Sequence, residues 1–305
     1  MTALLFLSSL LFASRSFAEE PVPPQGKQLN PVQLTGALPK TIDESSGVVR
    51  SRRYPQKDIF WTHNDSGDSA RIFAIDGAGK LLREVAVPHA ANRDWEEISI
   101  DAQDRLWICD IGDNDAKHKS FTLYRIPEPD ALNANQALAE PVKYTFRYPP
   151  NDGPFDAEGL FVCDGYAYLF SKELGRTRSY RLSIPEVPPA DNKIVDAEFL
   201  CETKTMSVVT GASLSDDHRH IALINYVTIL VIDLDLPFEQ IAKDPKQFAR
   251  IFALPRRQRL SFLGQTEGVC FDGEDLVLTT ECGKNAHLGN GFGHIYRLPH
   301  VLPVP

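Results

Sequence analysis

From residue 44 onward the chain alternates short apolar runs with punctuation by Asp, Asn and Gly. Phe60-Trp61-Thr62, Leu106-Trp107-Ile108, Tyr168-Leu169-Phe170, Ile221-Ala222-Leu223-Ile224 and Leu276-Val277-Leu278 are typical of these runs. Short runs rich in β-branched and aromatic residues, bounded by turn formers, predict strands. No long stretch sustains the 3.6-residue period of an amphipathic helix. With 22 Pro and only two Met, the composition also argues against a helical bundle.

Five segments of this pattern align with one another. They are Glu44-Ser45-Ser46-Gly47-Val48, Asp94-Trp95-Glu96-Glu97-Ile98, Asp156-Ala157-Glu158-Gly159-Leu160, Val208-Val209-Thr210-Gly211-Ala212 and Gln265-Thr266-Glu267-Gly268-Val269. Their fourth positions lie 50, 62, 52 and 57 residues apart. After each comes a turn and a second apolar strand, ending at Asn64, Asp110, Lys172, Asn225 or Glu281. A third strand usually follows, as in Arg71–Ile75, Phe121–Arg125 and His294–Leu298. Units of this length with four short strands each are the signature of propeller blades. The pattern therefore predicts an all-β chain, a single five-bladed β-propeller over residues 29–305. The last repeat has only three strands before the chain ends, and Leu29–Leu38 is expected to supply the fourth. That closure leaves no open ring edge. A six-bladed ring and a β-sandwich are the competing arrangements.

The first 18 residues read as a secretory signal peptide. Leu4–Ala13 forms the apolar region, and Ser16-Phe17-Ala18 gives small residues at the cleavage site, although Met1-Thr2 carries no Lys or Arg. Residues 19–28, with Pro21, Pro23 and Pro24, read as a linker. A periplasmic or secreted location follows. The chain has no run long enough to span a membrane as a helix. Its 41 acidic residues against 32 basic ones, a net charge of −9, argue against nucleic acid as a partner. Export permits disulfides among Cys109, Cys163, Cys201, Cys270 and Cys282. Most of these lie in apolar runs and read as buried thiols, and Cys163–Cys201 is the one pairing considered.

In a propeller the first strand of each blade lines the central channel. The aligned third positions then form a ring of Ser46, Glu96, Glu158, Thr210 and Glu267. Three carboxylates about 5 Å apart at an effective dielectric near 20 repel by about 3 kcal/mol per pair. They call for a cation, protonation or a basic partner. Oxygen ligands without His or thiolate favour calcium. The alternative is structural: the Glu side chains cap strands or bond backbone amides. The second-strand ends add a rim of His63, Asn64, Asp110, Lys172, Asn225 and Glu281. Asn and Asp there are also ordinary turn formers, and Lys172 is placed to neutralise Glu158. His218-x-His220 reads as part of a hairpin turn, and Arg256-Arg257-Gln258-Arg259 as a solvated loop.

Ser45-Ser46-Gly47, Trp61-Thr62-His63-Asn64-Asp65-Ser66-Gly67, Asp94–Ile98 and Asp110-Ile111-Gly112-Asp113-Asn114 resemble the SdiA-regulated, YjiK-like propellers. The Glu-Gly strands at Glu158-Gly159 and Glu267-Gly268 are similar to these and to phytase-like secreted propellers. The resemblance covers residues 40–300. It implies an exported five-bladed propeller with calcium near the channel and no firm enzymatic activity. Ser46 and Thr210 depart from the acidic pattern. Two functions compete: a calcium-binding propeller whose open face takes an unidentified small molecule or protein, and a calcium-dependent hydrolase of lactonase, esterase or phosphoesterase type. In the second, His63 is the candidate base beside Glu96 or Asp110. A glycosidase using two channel carboxylates is a third, weaker possibility.

Overall fold

The computed structural model describes residues 28–153, 155–189, 193–282 and 292–302. Residues 1–27, which hold the expected signal peptide and all but the last residue of the expected linker, lie outside them. Strand β1 is Gln33–Ala37. Blade one holds β2 (Ser45–Arg50), β3 (Ile59–Asn64), β4 (Arg71–Asp76) and β5 (Leu81–Ala86). Blade two holds β6 (Trp95–Ile100), β7 (Arg105–Asp110), β8 (Phe121–Pro127) and β9 (Val142–Arg147). Blade three begins with β10 (Ala157–Cys163), β11 (Tyr166–Ser171) and β12 (Thr177–Ser183). The chain then adds β13 (Val195–Asp196) in parallel to β9, before β14 (Glu198–Thr203) completes blade three. Blade four is β15 (Gly211–Leu214), β16 (His220–Ile224), β17 (Thr228–Asp233) and β18 (Arg256–Leu260). Two short helices, α1 (Phe238–Ile241) and α2 (Pro245–Arg250), interrupt it between β17 and β18. Blade five is β19 (Thr266–Asp272), β20 (Asp275–Thr280) and β21 (His294–Leu298).

The ring closes as expected: β1 pairs antiparallel with β21, so the fifth blade contains strands from both ends of the domain. The first strands of the five blades pack in a circle, β2 on β6, β6 on β10, β10 on β15, β15 on β19 and β19 on β2. Each neighbouring pair of blades encloses its own apolar cluster. Trp61, Trp95 and Trp107 are wholly or almost wholly buried there. Each large side chain so buried contributes roughly 1.5–3 kcal/mol.

Two expectations are corrected. Arg256–Arg259 is no loop: it is the outer strand of blade four, paired with β17. An outer strand needs only a backbone ladder on one side, and its charges suppress edge-to-edge pairing. Arg257 answers Asp233 across that ladder. No disulfide joins any of the five cysteines. Cys163 ends the innermost strand of blade three and Cys201 lies on its outermost, with β11 and β12 between them. Three strand spacings alone put them at least about 14 Å apart, far beyond disulfide reach. The pattern also gave no warning of α1 and α2. Their Phe238, Ile241 and Phe248 fill the cluster between blades three and four.

Candidate functional site

Four of the five inner strands carry a bulge at the same place. The register slips between Ser45 and Gly47, Trp95 and Glu97, Ala157 and Gly159, and Thr266 and Gly268. The residue left unpaired is the aligned third position in each case: Ser46, Glu96, Glu158 and Glu267. A bulge breaks the strict alternation of a strand and re-aims a side chain. Glu96, Glu158 and Glu267 are almost fully buried. In blade four the strand starts only at Gly211, and Thr210 donates to the Thr266 carbonyl instead (2.7 Å).

One oxygen of each glutamate is engaged and the other is not. Glu96 Oε2 accepts from Ser46 Oγ at 3.0 Å. Glu158 Oε1 is paired with the Lys172 ammonium, whose Nζ also lies 3.9 Å from Asp156. Glu267 Oε1 accepts from the Tyr226 hydroxyl at 3.2 Å. Glu96 Oε1, Glu158 Oε2 and Glu267 Oε2 are buried without a hydrogen-bond partner. A buried acceptor left unmatched costs about 1–3 kcal/mol, more when charged.

Three further carboxylates, Asp65, Asp94 and Asp156, join this basin. Oxygens of Asp65, Asp94 and Glu96 lie within 4.8 Å of one another, and so do oxygens of Glu96, Asp156 and Glu158. Glu96 belongs to both sets. Gly112 makes room for it: a Cβ there would stand 2.2 Å from Glu96 Oε1 and 2.6 Å from the Asp94 carboxyl. The Asp65 loop is tied across the blade boundary by Asn92, whose side-chain amide donates to the Asp65 carbonyl at 2.8 Å. Sequence reasoning assigned none of these three acids to the ion. Asp94 and Asp156 stand two residues before the bulged Glu in blades two and three, and that Asp-x-Glu recurrence was the signal available.

Crowded negative charge in a dry basin holds protons. Burial, then the neighbouring carboxylates, raise the pKa of Asp65 to about 6 and that of Asp94 to about 7. Burial and Glu158 lift Glu267 to about 8. Burial and Glu267 lift Glu281 to about 9. Glu96 and Glu158 are pushed well above the usual range, first by burial.

The rest of the expected rim divides. Lys172 and Glu281 belong to the basin. Asn64 is consumed locally, donating to the Thr41 carbonyl and to Asp68, both at 2.9 Å. Asn225 forms an Asx turn, accepting from Val227 and Thr228 amides and donating to Ser207. Asp110 accepts from the Asp94 amide at 2.9 Å and so fixes the start of β6. His63 is sealed in, edge-on to Trp95, with burial lowering its pKa to about 4.

Behind the basin the channel is plugged. The aligned fourth positions are glycine in every blade except the second, where Glu97 stands. A Cβ at Gly211 would meet the Glu267 carbonyl at 2.3 Å, so the strands approach too closely for a side chain. Among the aligned fourth positions Glu97 is the one that carries a side chain toward the axis. Its carboxylate accepts from the Ile98 amide at 3.0 Å and the Ala212 amide at 3.1 Å, and also from Leu160. It thereby ties blade two to blades three and four. Beyond it, Val48, Ile98, Ala212, Val269 and Phe271 line a separate cavity of about 480 Å³ at the opposite mouth.

No protein-family model matches the chain, and no curated protein matches it. Solved structures do. The PQQ-bound aldose sugar dehydrogenase of Streptomyces coelicolor aligns with a TM-score of 0.52 at 10% identity, over 90% of this chain and 99% of that one. A putative gluconolactonase aligns with a TM-score of 0.44 at 13% identity, covering 90% and 96%. The β-propeller domain of Cps50 (Swd1) from Myceliophteria thermophila gives 0.41 at 11% identity, covering 87% and 99%. Identities this low speak to architecture alone. The chain is a five-bladed β-propeller with an acidic basin at one mouth of its channel.

Proposed function

We propose that this chain is an exported propeller, of the SdiA-regulated, YjiK-like kind, that holds calcium in the acidic basin and binds a ligand over it. The carrying observation is the set of buried, unpartnered carboxylate oxygens on Glu96 and Glu158 with Asp65, Asp94 and Asp156 within ligand reach. A hard cation with six to eight oxygen ligands at flexible geometry suits an all-carboxylate donor set. Glu96 would be the shared ligand, with Asp65 and Asp94 on one side and Asp156 and Glu158 on the other. Lys172 neutralises part of the remaining charge, and Glu267 stands apart on Tyr226. When bound, the ion would polarise an oxygen of whatever occupies the mouth. Calorimetric titration of the chelator-treated protein with calcium should show binding that Glu96→Gln removes. Absence of heat and of any melting shift would defeat the reading.

A hydrolase is the second reading, favoured by one observation. The Glu267–Glu281 pair keeps a proton at neutral pH beside Tyr226 and Lys172. A protonated carboxyl next to a cation site is positioned as a general acid. The reading assigns no base role to His63, whose unpartnered Nε2 is enclosed. A panel of lactones, aryl esters and phosphoesters decides. Calcium-dependent turnover lost in Glu267→Gln supports hydrolysis, and no turnover across the panel dismisses it.

A further inference from the structure

On the opposite face of the ring, three elements from two blades bring together a thiol, an imidazole and a carboxylate. Cys163 is the last residue of β10 in blade three. His218 sits in the turn joining β15 to β16 in blade four, and Glu239 lies in α1, inserted after β17. Cys163 Sγ is 3.8 Å from His218 Nδ1, and Glu239 Oε2 is 3.0 Å from the same nitrogen. The three ligand atoms all lie within 4.8 Å of one another.

This is not the geometry of a nucleophilic relay. A Cys-His-Glu relay needs thiol and carboxylate on opposite ring nitrogens, so that the imidazole passes a proton from one side while being oriented from the other. Here both address Nδ1. Three donors converging on one point is instead how ligands surround a cation. At Zn–S near 2.3 Å and Zn–N or Zn–O near 2.0–2.2 Å, a tetrahedral ion sets its ligands about 3.4–3.6 Å apart. The two measured separations straddle that value, so small side-chain rotations complete the arrangement.

The backbone holds the trio in place. The Phe238 amide donates to the His218 carbonyl at 2.8 Å, which fixes the start of α1 against the hairpin turn. The His218 amide in turn donates to Ser215 at 2.9 Å. Phe238 anchors α1 in the apolar cluster between blades three and four. Cys163 is buried, while His218 and Glu239 are each about one-third exposed. All three border a cavity of about 410 Å³. A fourth coordination position would therefore open to solvent.

We infer that Cys163, His218 and Glu239 form a three-ligand site for zinc or a similar borderline transition ion, separate from the hard-cation basin and open at its fourth position. A thiolate–imidazole–carboxylate set selects such ions over calcium or magnesium. Binding releases the Cys163 thiol proton to solvent as the sulfur becomes a ligand. The inference does not depend on the reading of the acidic basin.

The test uses the full mature chain carrying Cys282→Ser, so that the half-buried thiol at 282 does not contribute. Chelator-treated protein is titrated with Co²⁺ alone and then with Zn²⁺. One thiolate-bound cobalt per chain, counted by thiolate-to-cobalt charge-transfer absorption and tetrahedral visible bands that Zn²⁺ bleaches, is the expected result. Cys163→Ser should abolish the charge-transfer band. His218→Asn, whose residue type tolerates the left-handed backbone at 218 (φ 58°), should weaken zinc by about tenfold or more. Glu96→Gln should leave both unchanged. No cobalt spectrum in the parent, or an unaltered one in folded His218→Asn, would overturn the inference and leave a hydrogen-bonded trio only.

Discussion

The metal-free protein should lose stability as the pH rises through neutrality, and the acidic basin sets the size of the loss. Glu267 and Glu281 keep protons up to about 8 and about 9, whereas in the unfolded chain they ionise near 4.5. The folded state thus binds more protons than the unfolded one across this interval. Their contribution is complete below pH 4.5 and disappears as the pH climbs through the folded values. His63 has the opposite sign: its pKa falls from 6.5 to about 4, so its contribution grows with pH up to about 6.5. The informative window is therefore pH 6.5–8.5, below the range where the thiols of the unfolded chain ionise. One proton released across 1.5 units costs about 2 kcal/mol, and two held independently would cost about 5. For a domain of this size that is a fall in Tm of roughly 5–15 °C. Calorimetry or circular dichroism in chelator over this window measures it. Glu267→Gln should flatten the slope and match or exceed the parent's Tm at pH 8.5. Calcium should flatten it too, since an ion at about one hundred times its Kd adds roughly 2.7 kcal/mol. A Tm that is constant or rises between pH 6.5 and 8.5 would refute the charge balance of the basin.

Lys172→Met should destabilise the protein by about 3–5 kcal/mol at neutral pH, because Glu158 is left buried without its cation; the loss should shrink as the pH falls toward the ordinary carboxylate range, where keeping Glu158 protonated in the fold costs less, and equal losses at pH 7 and pH 5.5 would count against the pairing. Glu97→Ala should cost about 3 kcal/mol or more in urea unfolding, since the Ile98, Ala212 and Leu160 amides lose their acceptor, and a cost below about 1 kcal/mol would show that water replaces it. Gly112→Ala places a Cβ against Glu96 and Asp94. Its Tm in chelator should stay near that of the parent while the calcium-induced shift disappears, and a retained shift would remove Glu96 and Asp94 from the ligand set.

The repeat itself was legible in one dimension. Strand runs, the spacing of about 50–60 residues and the missing fourth strand of the last unit led to the five blades and to closure by β1. These are properties of local alternation and chain order, which the sequence carries directly. Lys172 against Glu158 could be read the same way, because one aligned repeat contains both. Other features depend on which side chains meet between blades. Whether Asn64, Asn225 and Asp110 face a ligand or satisfy nearby backbone is decided by turn geometry, and here all three are spent on the chain. The alignment exposed Glu97 as the exception among four glycines, yet only ring closure shows that those glycines clear the axis it fills. Cys163, His218 and Glu239 are separated by 55 and 21 residues. Nothing local links them; the packing of blade three against blade four does. The strands, their repeat and the acidic character of the channel all follow from short-range pattern. Which acids hold protons, which oxygens lack partners and which distant ligands converge depend on burial and distance, and these exist only once the ring is closed.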